Sequence, residues 1–198
     1  MPAKTAGVER RSARERLLAA AEELFYEEGV NTVGIDRVIE RAGVAKASLY
    51  DCFGSKEELI RSYLVARHEA RQARMKEKLA RYSTPRERLL GVFDVMGELF
   101  KESNFRGCAF VRASAEVRPG SSVKTVCDDS RAWLRSLFTD LAKDAGAARP
   151  ERLAQQLVLL YDGASVSAQM DRDASAAAAA RAVAAVMLDA AINSRARS

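Results

Sequence analysis

Within the eight residues Lys46-Ala47-Ser48-Leu49-Tyr50-Asp51-Cys52-Phe53, a cation, two hydroxyls and a carboxylate surround an apolar pair, Leu49 and Phe53. Positions four apart share one face of a helix, so that pair turns inward and Lys46, Ala47, Ser48, Tyr50 and Asp51 make the polar face. The chemistry on offer is recognition by hydrogen bonds. Lys46 suits a phosphate or a guanine edge, Ser48 and Tyr50 donate to phosphate oxygens, and Ala47 fits a thymine methyl group. Asp51 repels phosphate but accepts from a cytosine amino group. No set of residues suits catalysis. The single histidine, His68, removes the usual base, and no Cys-His or Ser-His spacing, glycine-rich phosphate loop or metal cluster is present. No catalytic residue, cofactor or metal is expected.

Two further helical runs must position that face. Ile35, Val38, Ile39 and Ala42 keep helical spacing up to Gly43, where a left-handed residue ends the helix, and the short link Val44-Ala45 forces a sharp change of direction. Glu15 to Glu28, with Leu17, Leu18, Ala21, Leu24 and Phe25 on one face and Gly29 as its stop, supplies the third helix that covers them. In such a helix-turn-helix the second helix of the pair enters a DNA major groove. The same spacing also serves a three-helix subdomain whose polar face meets only water.

Residues 22–59, EELFYEEGVNTVGIDRVIERAGVAKASLYDCFGSKEEL, resemble the DNA-binding domain of TetR-family transcriptional regulators. The resemblance rests on Leu24-Phe25, Gly29, the Ala42-Gly43-Val44 turn, Leu49-Tyr50 with Phe53, and Ser55-Lys56-Glu57-Glu58-Leu59 opening the next helix. It implies a recognition helix from Lys46 to Phe53 and phosphate contacts from Lys46, Tyr50 and Lys56. Three positions depart from the pattern. Val33 stands where threonine is usual, and Asp51 and Cys52 where histidine or another aromatic is common.

Composition agrees with an all-α chain. Of 198 residues 48% are hydrophobic and only four are proline, and no stretch alternates apolar and polar for long. The net charge of +5 does not mark the recognition region, because Lys and Arg number 11 against 12 Asp and Glu in residues 1–70, 7 against 2 in 71–90, and 14 against 13 in 91–198. Its distribution is more telling: Arg10, Arg11, Arg14 and Arg16 lie at one end of the first helix and Glu22, Glu23, Glu27 and Glu28 at the other, which suits approach to DNA in one orientation, with Arg14 a candidate contact. A solvated helix carries the same charges. Cys52, Cys108 and Cys127 are odd in number and read as reduced thiols. No charge-free apolar run reaches the roughly 18 residues of a membrane span, and Pro-Ala-Lys-Thr does not open a signal peptide. The expectation is a cytoplasmic protein without a membrane partner.

The expected layout is an N-terminal helix-turn-helix DNA-binding domain over residues 11–71 and a C-terminal helical ligand-binding and dimerisation domain over 72–198, about nine helices in all, after a disordered terminus of about ten residues. Arg67 to Arg81 is strongly basic and loses its apolar stripe, which reads as a bridging helix with a solvated outer face. Its His68 reads as packed or solvated. The last two helices are apolar and small on more than one face, with Ala164, Ser165, Ser167, Ala168 and Ala176 to Ala180, and a second copy of the chain is their expected cover in a homodimer. The resemblance further implies a palindromic double-stranded DNA operator and a small-molecule cavity. Phe93, Met96, Phe100, Cys108, Phe110, Val111, Trp133, Phe138, Tyr161 and Met170 are its candidate walls, and each also serves as plain core. Cys108, after Arg106-Gly107 near a helix start, is a candidate thiol sensor of oxidants or electrophiles. Some TetR-type regulators that respond to such compounds carry a similarly placed Gly-Cys pair. The expected function is a ligand-released repressor, not an enzyme. The alternative is a helical protein-binding adaptor or small-molecule-binding protein that no longer binds DNA.

Overall fold

The computed structural model describes residues 11–193, which form nine α-helices and no strand. The terminal stretch 1–10, with Arg10, and residues 194–198 lie outside the described residues. The chain divides into two compact units at Tyr63 and Leu64. That point falls inside a continuous helix, as does the boundary at 71 expected from the sequence.

The first unit is built on α1 (Ala13–Glu28), α2 (Ile35–Ala42), α3 (Lys46–Phe53) and the start of α4 (Lys56–Leu79). Ser12 opens α1 with a capping box, its hydroxyl accepting from the Glu15 amide while Glu15 returns to the Ser12 amide at 2.7 Å. These bonds hold the Glu15 carboxyl below its usual range. Leu17, Ala21, Val33, Val38, Leu49 and Leu59 are fully or almost fully buried, and Phe25 meets Tyr63 edge to face at 5.8 Å. Val33 is therefore core, and α2 begins at Gly34 without a side-chain cap. Gly43 closes α2 at φ 61° and ψ 45°, a left-handed residue that a Cβ would strain. Arg16 donates to the Gly43 carbonyl at 3.0 Å, placing a cation at the negative end of α2. Ser55 caps the Glu58 amide at 3.1 Å, but the Glu58 carboxylate turns to Arg61, so only half of a capping box is made here.

The second unit comprises the rest of α4, α5 (Pro85–Phe100), α6 (Ala109–Glu116), α7 (Ser122–Asp144), α8 (Pro150–Asp171) and α9 (Ser175–Asn193). Thr84 and Glu87 cap α5 reciprocally, with Pro85 in the first turn. α6 begins at Ala109, with Cys108 as its N-cap. Leu89, Leu90, Val92, Phe93 and Met96 bury α5 on nearly all sides, so α5 is the axis of this core. A Cβ on Gly97 would stand 3.2 Å from that of Ala177, which shows how small residues bring α5 and α9 together. Arg181 pairs with Asp94 at 2.9 Å and Asp189 with Arg86 at 2.8 Å. α9 is long and apolar enough to cross a membrane by length and composition alone. Its two charges are tied to α5, and Ala177, Ala180, Ala184 and Leu188 are buried in the core of the second unit.

Candidate nucleic-acid interface and inner cluster

Leu49 and Phe53 are buried beneath α3, and Lys46, Ala47, Tyr50 and Asp51 are exposed on its other side. Ser48 is half-buried at the edge of that face, and Lys56 is half-buried at the start of α4. Ala45, which caps α3, supplies no side-chain oxygen, though its carbonyl accepts from the Ser48 amide at 3.0 Å, so the first turn of α3 has no side-chain cap. Lys46 is engaged: its ammonium lies 3.0 Å from Asp36 at the start of α2. The Arg14 guanidinium stacks over the Phe53 ring at 5.1 Å, exposed beside the end of α3.

The acidic end of α1 is largely neutralised within the unit. Glu28 takes Arg37 in a two-point pair at 2.6 and 2.8 Å, and Glu23 takes Arg41 through Nε at 3.0 Å and Nη2 at 2.6 Å. Both arginines belong to α2, so these charges clamp α1 to α2.

In the second unit the candidate pocket residues fall into separate groups. Phe93, Phe138 and Tyr161 form one aromatic triad with centroids 5.8 to 6.4 Å apart. Met96 accepts a weak bond from Ser165, and Phe100 stacks on Phe105 at 4.8 Å. Val111, at 54% exposure, and Met170, at 78%, face outward. Cys108 caps α6 and is half-buried, while Arg106 donates to the carbonyls of Ser103 and Phe105.

Phe110 and Trp133 belong to a cluster with His68 and Arg71 of α4, a grouping that the sequence alone does not reveal. The Arg71 guanidinium lies 5.0 Å from the Phe110 ring and 4.8 Å from the Trp133 ring, and its Nη2 donates to both the carbonyl and the hydroxyl of Ser130. His68 stands edge-on to the same two rings at 6.1 and 5.5 Å. Burial, then the Arg71 charge, lowers the His68 pKa against the opposing pull of Asp129 and Glu69, so the imidazole is neutral. Burial raises the Tyr161 phenol and pushes the Cys127 thiol up to about 11; Arg71 and Cys108 act on the former and Cys108 on the latter, which places them as neighbours. A signal for the packing of α4 itself was present. His68, Gln72, Met75 and Leu79 continue the inward face of α4 at helical spacing, and Met75 and Leu79 are buried, so the basic half of this helix is packed rather than merely solvated.

One apolar face is left uncovered. Leu159, Val166 and Met170 on α8 and Val183 and Val186 on α9 are exposed, at i, i+7, i+11 and i, i+3 spacing. Among the described residues no group of His, Cys, Asp and Glu gathers as a metal site.

The profile of the bacterial regulatory proteins of the tetR family matches residues 17–63, the three helices and turn described above. The chain is 34% identical to sav143 of Streptomyces avermitilis, described as a TetR transcriptional regulator, with a TM-score of 0.82 over 91% of this chain and 98% of that one. The TetR-family regulator SCO4454 of Streptomyces coelicolor superposes with a TM-score of 0.86 at 28% identity, over 91% and 96% of the two chains. The transcriptional repressor NemR of Escherichia coli K12 is 27% identical over 169 residues, 80% of this chain and 85% of that protein.

Proposed function

This chain belongs to the TetR family of DNA-binding transcriptional regulators, not of enzymes, and we propose that it is a homodimeric repressor whose operator is released when a small molecule binds the second unit. The exposed face of α3, carried on a turn that Gly43 fixes, supports this reading best. Lys46, Tyr50 and Lys56 hold phosphates, with Arg14 beside them; Ser48 adds a hydroxyl, and Ala47 and Asp51 meet base edges. The uncovered apolar face of α8 and α9 supports a dimer through the last two helices, and two-fold symmetry calls for a palindromic operator. The protein acts where that DNA is, in the cytoplasm.

Release follows from linkage. A ligand that binds better to a conformer with misplaced recognition helices weakens operator binding by its differential affinity. Phe93, Met96, Phe100, Phe110, Trp133, Phe138 and Tyr161 supply apolar material for its cavity. Cys108 adds a covalent route, its sulfur bonding to an electrophile with loss of the thiol proton. Mild alkylation followed by mass spectrometry checks this: Cys108 is labelled and DNA released, and an unlabelled Cys108 removes the sensor role.

Footprinting of the DNA flanking the coding region at two salt concentrations tests the whole reading. A two-fold-symmetric protected site whose affinity falls with salt is expected. Absence of specific binding to any duplex would return the chain to a protein-binding adaptor.

A further inference from the structure

Three buried side-chain polar atoms have no hydrogen-bond partner among the described residues: His68 Nδ1, Arg71 Nε and Arg88 Nε. Two of the three belong to one cluster. His68 and Arg71 are three residues apart on α4, share a helix face, and touch the same Phe110 and Trp133 rings.

Both orphans are donors. Gln72 Nε2 lies 3.0 Å from His68 Nε2, so with the amide nitrogen donating, the imidazole accepts at Nε2 and carries its proton on Nδ1. Arg71 Nε always carries hydrogen. Arg71 also brings a charge that no carboxylate pairs with directly among the described residues: it bonds Ser130 and lies against two aromatic faces, while Asp129 and Glu69 act on His68 beside it. Asp162, the acid that acts on neighbouring Tyr161, is taken by Arg131. A cation and two unfilled donors beside flat apolar rings are the complement of an anion with two acceptor oxygens on a flat body.

We propose that the second unit binds a small aromatic carboxylate, its two oxygens accepting from His68 Nδ1 and Arg71 Nε and its ring lying against Phe110 and Trp133. This rests on the reading of that unit as an effector domain and names the effector's class. An uncharged compound of the same shape leaves Arg71 unbalanced and binds more weakly. Ser130 positions Arg71, because both its carbonyl and its hydroxyl hold Nη2.

Trp133 is the only tryptophan of the chain, so its fluorescence reports the site directly. Full-length protein would be titrated with 1-naphthoate and with 1-naphthamide at fixed ionic strength. Saturable quenching by the carboxylate at least tenfold tighter than by the amide is expected, and Arg71→Gln should abolish the difference, because the carboxylate loses the charge that favours it over the amide. Arg71→Lys keeps the charge and loses Nε, and should retain part of the preference; circular dichroism checks that each variant is folded. Equal affinity of wild-type protein for carboxylate and amide, or no saturable response to the carboxylate, overturns the proposal without reference to any variant. Operator binding without any added compound is measured in parallel, so a failed regulator reading is told apart from a failed carboxylate site.

Discussion

Lys46, the first residue of α3, holds Asp36, the second residue of α2, at 3.0 Å across the helix-turn-helix. The bond raises the Lys46 pKa, chiefly through the hydrogen bond to Asp36, and both side chains remain largely exposed. An exposed pair of this kind is weak and screened by salt, so a phosphate can displace Asp36. Asp36→Asn should tighten DNA binding several-fold at low salt on every sequence, whereas Lys46→Ala should weaken it uniformly and reduce the salt slope by about one. Affinities of both variants over a salt series check this; an unchanged slope in Lys46→Ala would remove Lys46 from the interface.

The uncovered stripe on α8 and α9 predicts the oligomeric state. Met170 and Val186 are 78% and 71% exposed, and a charge at either position must be desolvated if the face is covered by a second copy. The wild-type chain should sediment as a dimer at micromolar concentration and Met170→Glu combined with Val186→Glu as a folded monomer with sharply weaker operator binding. A dimeric double variant would place the interface elsewhere.

Tyr82 lies on Gly91 of α5, where a Cβ would fall 2.4 Å from its Cε2. The ring cannot easily withdraw, since its hydroxyl donates to Asp94 at 2.9 Å; burial and that bond push the phenol up to about 12. Gly91→Ala therefore sets a clash of about 1–3 kcal/mol against a helix-propensity gain of about 1 kcal/mol. The expected net is a lower melting temperature. Truncating the ring with Tyr82→Ala should make the same Gly91→Ala change neutral or stabilising, a coupling that a double-mutant cycle measures.

His68 makes stability depend on pH in a window of its own. Its folded pKa is lowered from 6.5, mainly by burial, so the unfolded chain takes up a proton that the folded chain resists. The contribution is present above pH 6.5 and is lost as pH falls below it. Glu58, Glu98 and Asp189 are lowered by bonds to Arg61, Lys78 and Arg86, and their contribution is lost only as pH falls below the ordinary carboxylate range. Thermal melts from pH 7.5 to 5.5 should show wild-type protein losing more stability than His68→Gln. Parallel losses would mean that the imidazole is not held neutral.

The helix-turn-helix is legible in the sequence because local rules suffice there. Gly43 stops α2, Leu49 and Phe53 fix the buried side of α3, and helical spacing gives the rest. The pairing of Glu23 with Arg41 and Glu28 with Arg37 is not legible, since it joins residues 9 and 18 apart across two helices. Arg71 shows the same limit more sharply. In a basic run it reads as solvated, yet Phe110 and Trp133, from helices distant in sequence, make an interior in which its charge can be packed. Spacing likewise leaves open whether Val111 faces in or out, and only the packing of α6 turns it outward.

The affinity of the purified protein for a duplex bearing its footprinted site is to be measured against the same duplex with both half-sites scrambled, at low and at about 200 mM salt. The intact site should be preferred a thousandfold or more, a preference that survives at the higher salt and is altered at one base pair per half-site by Asp51→Asn. Equal binding to both duplexes, or no binding to either, would contradict a recognition helix at Lys46–Phe53.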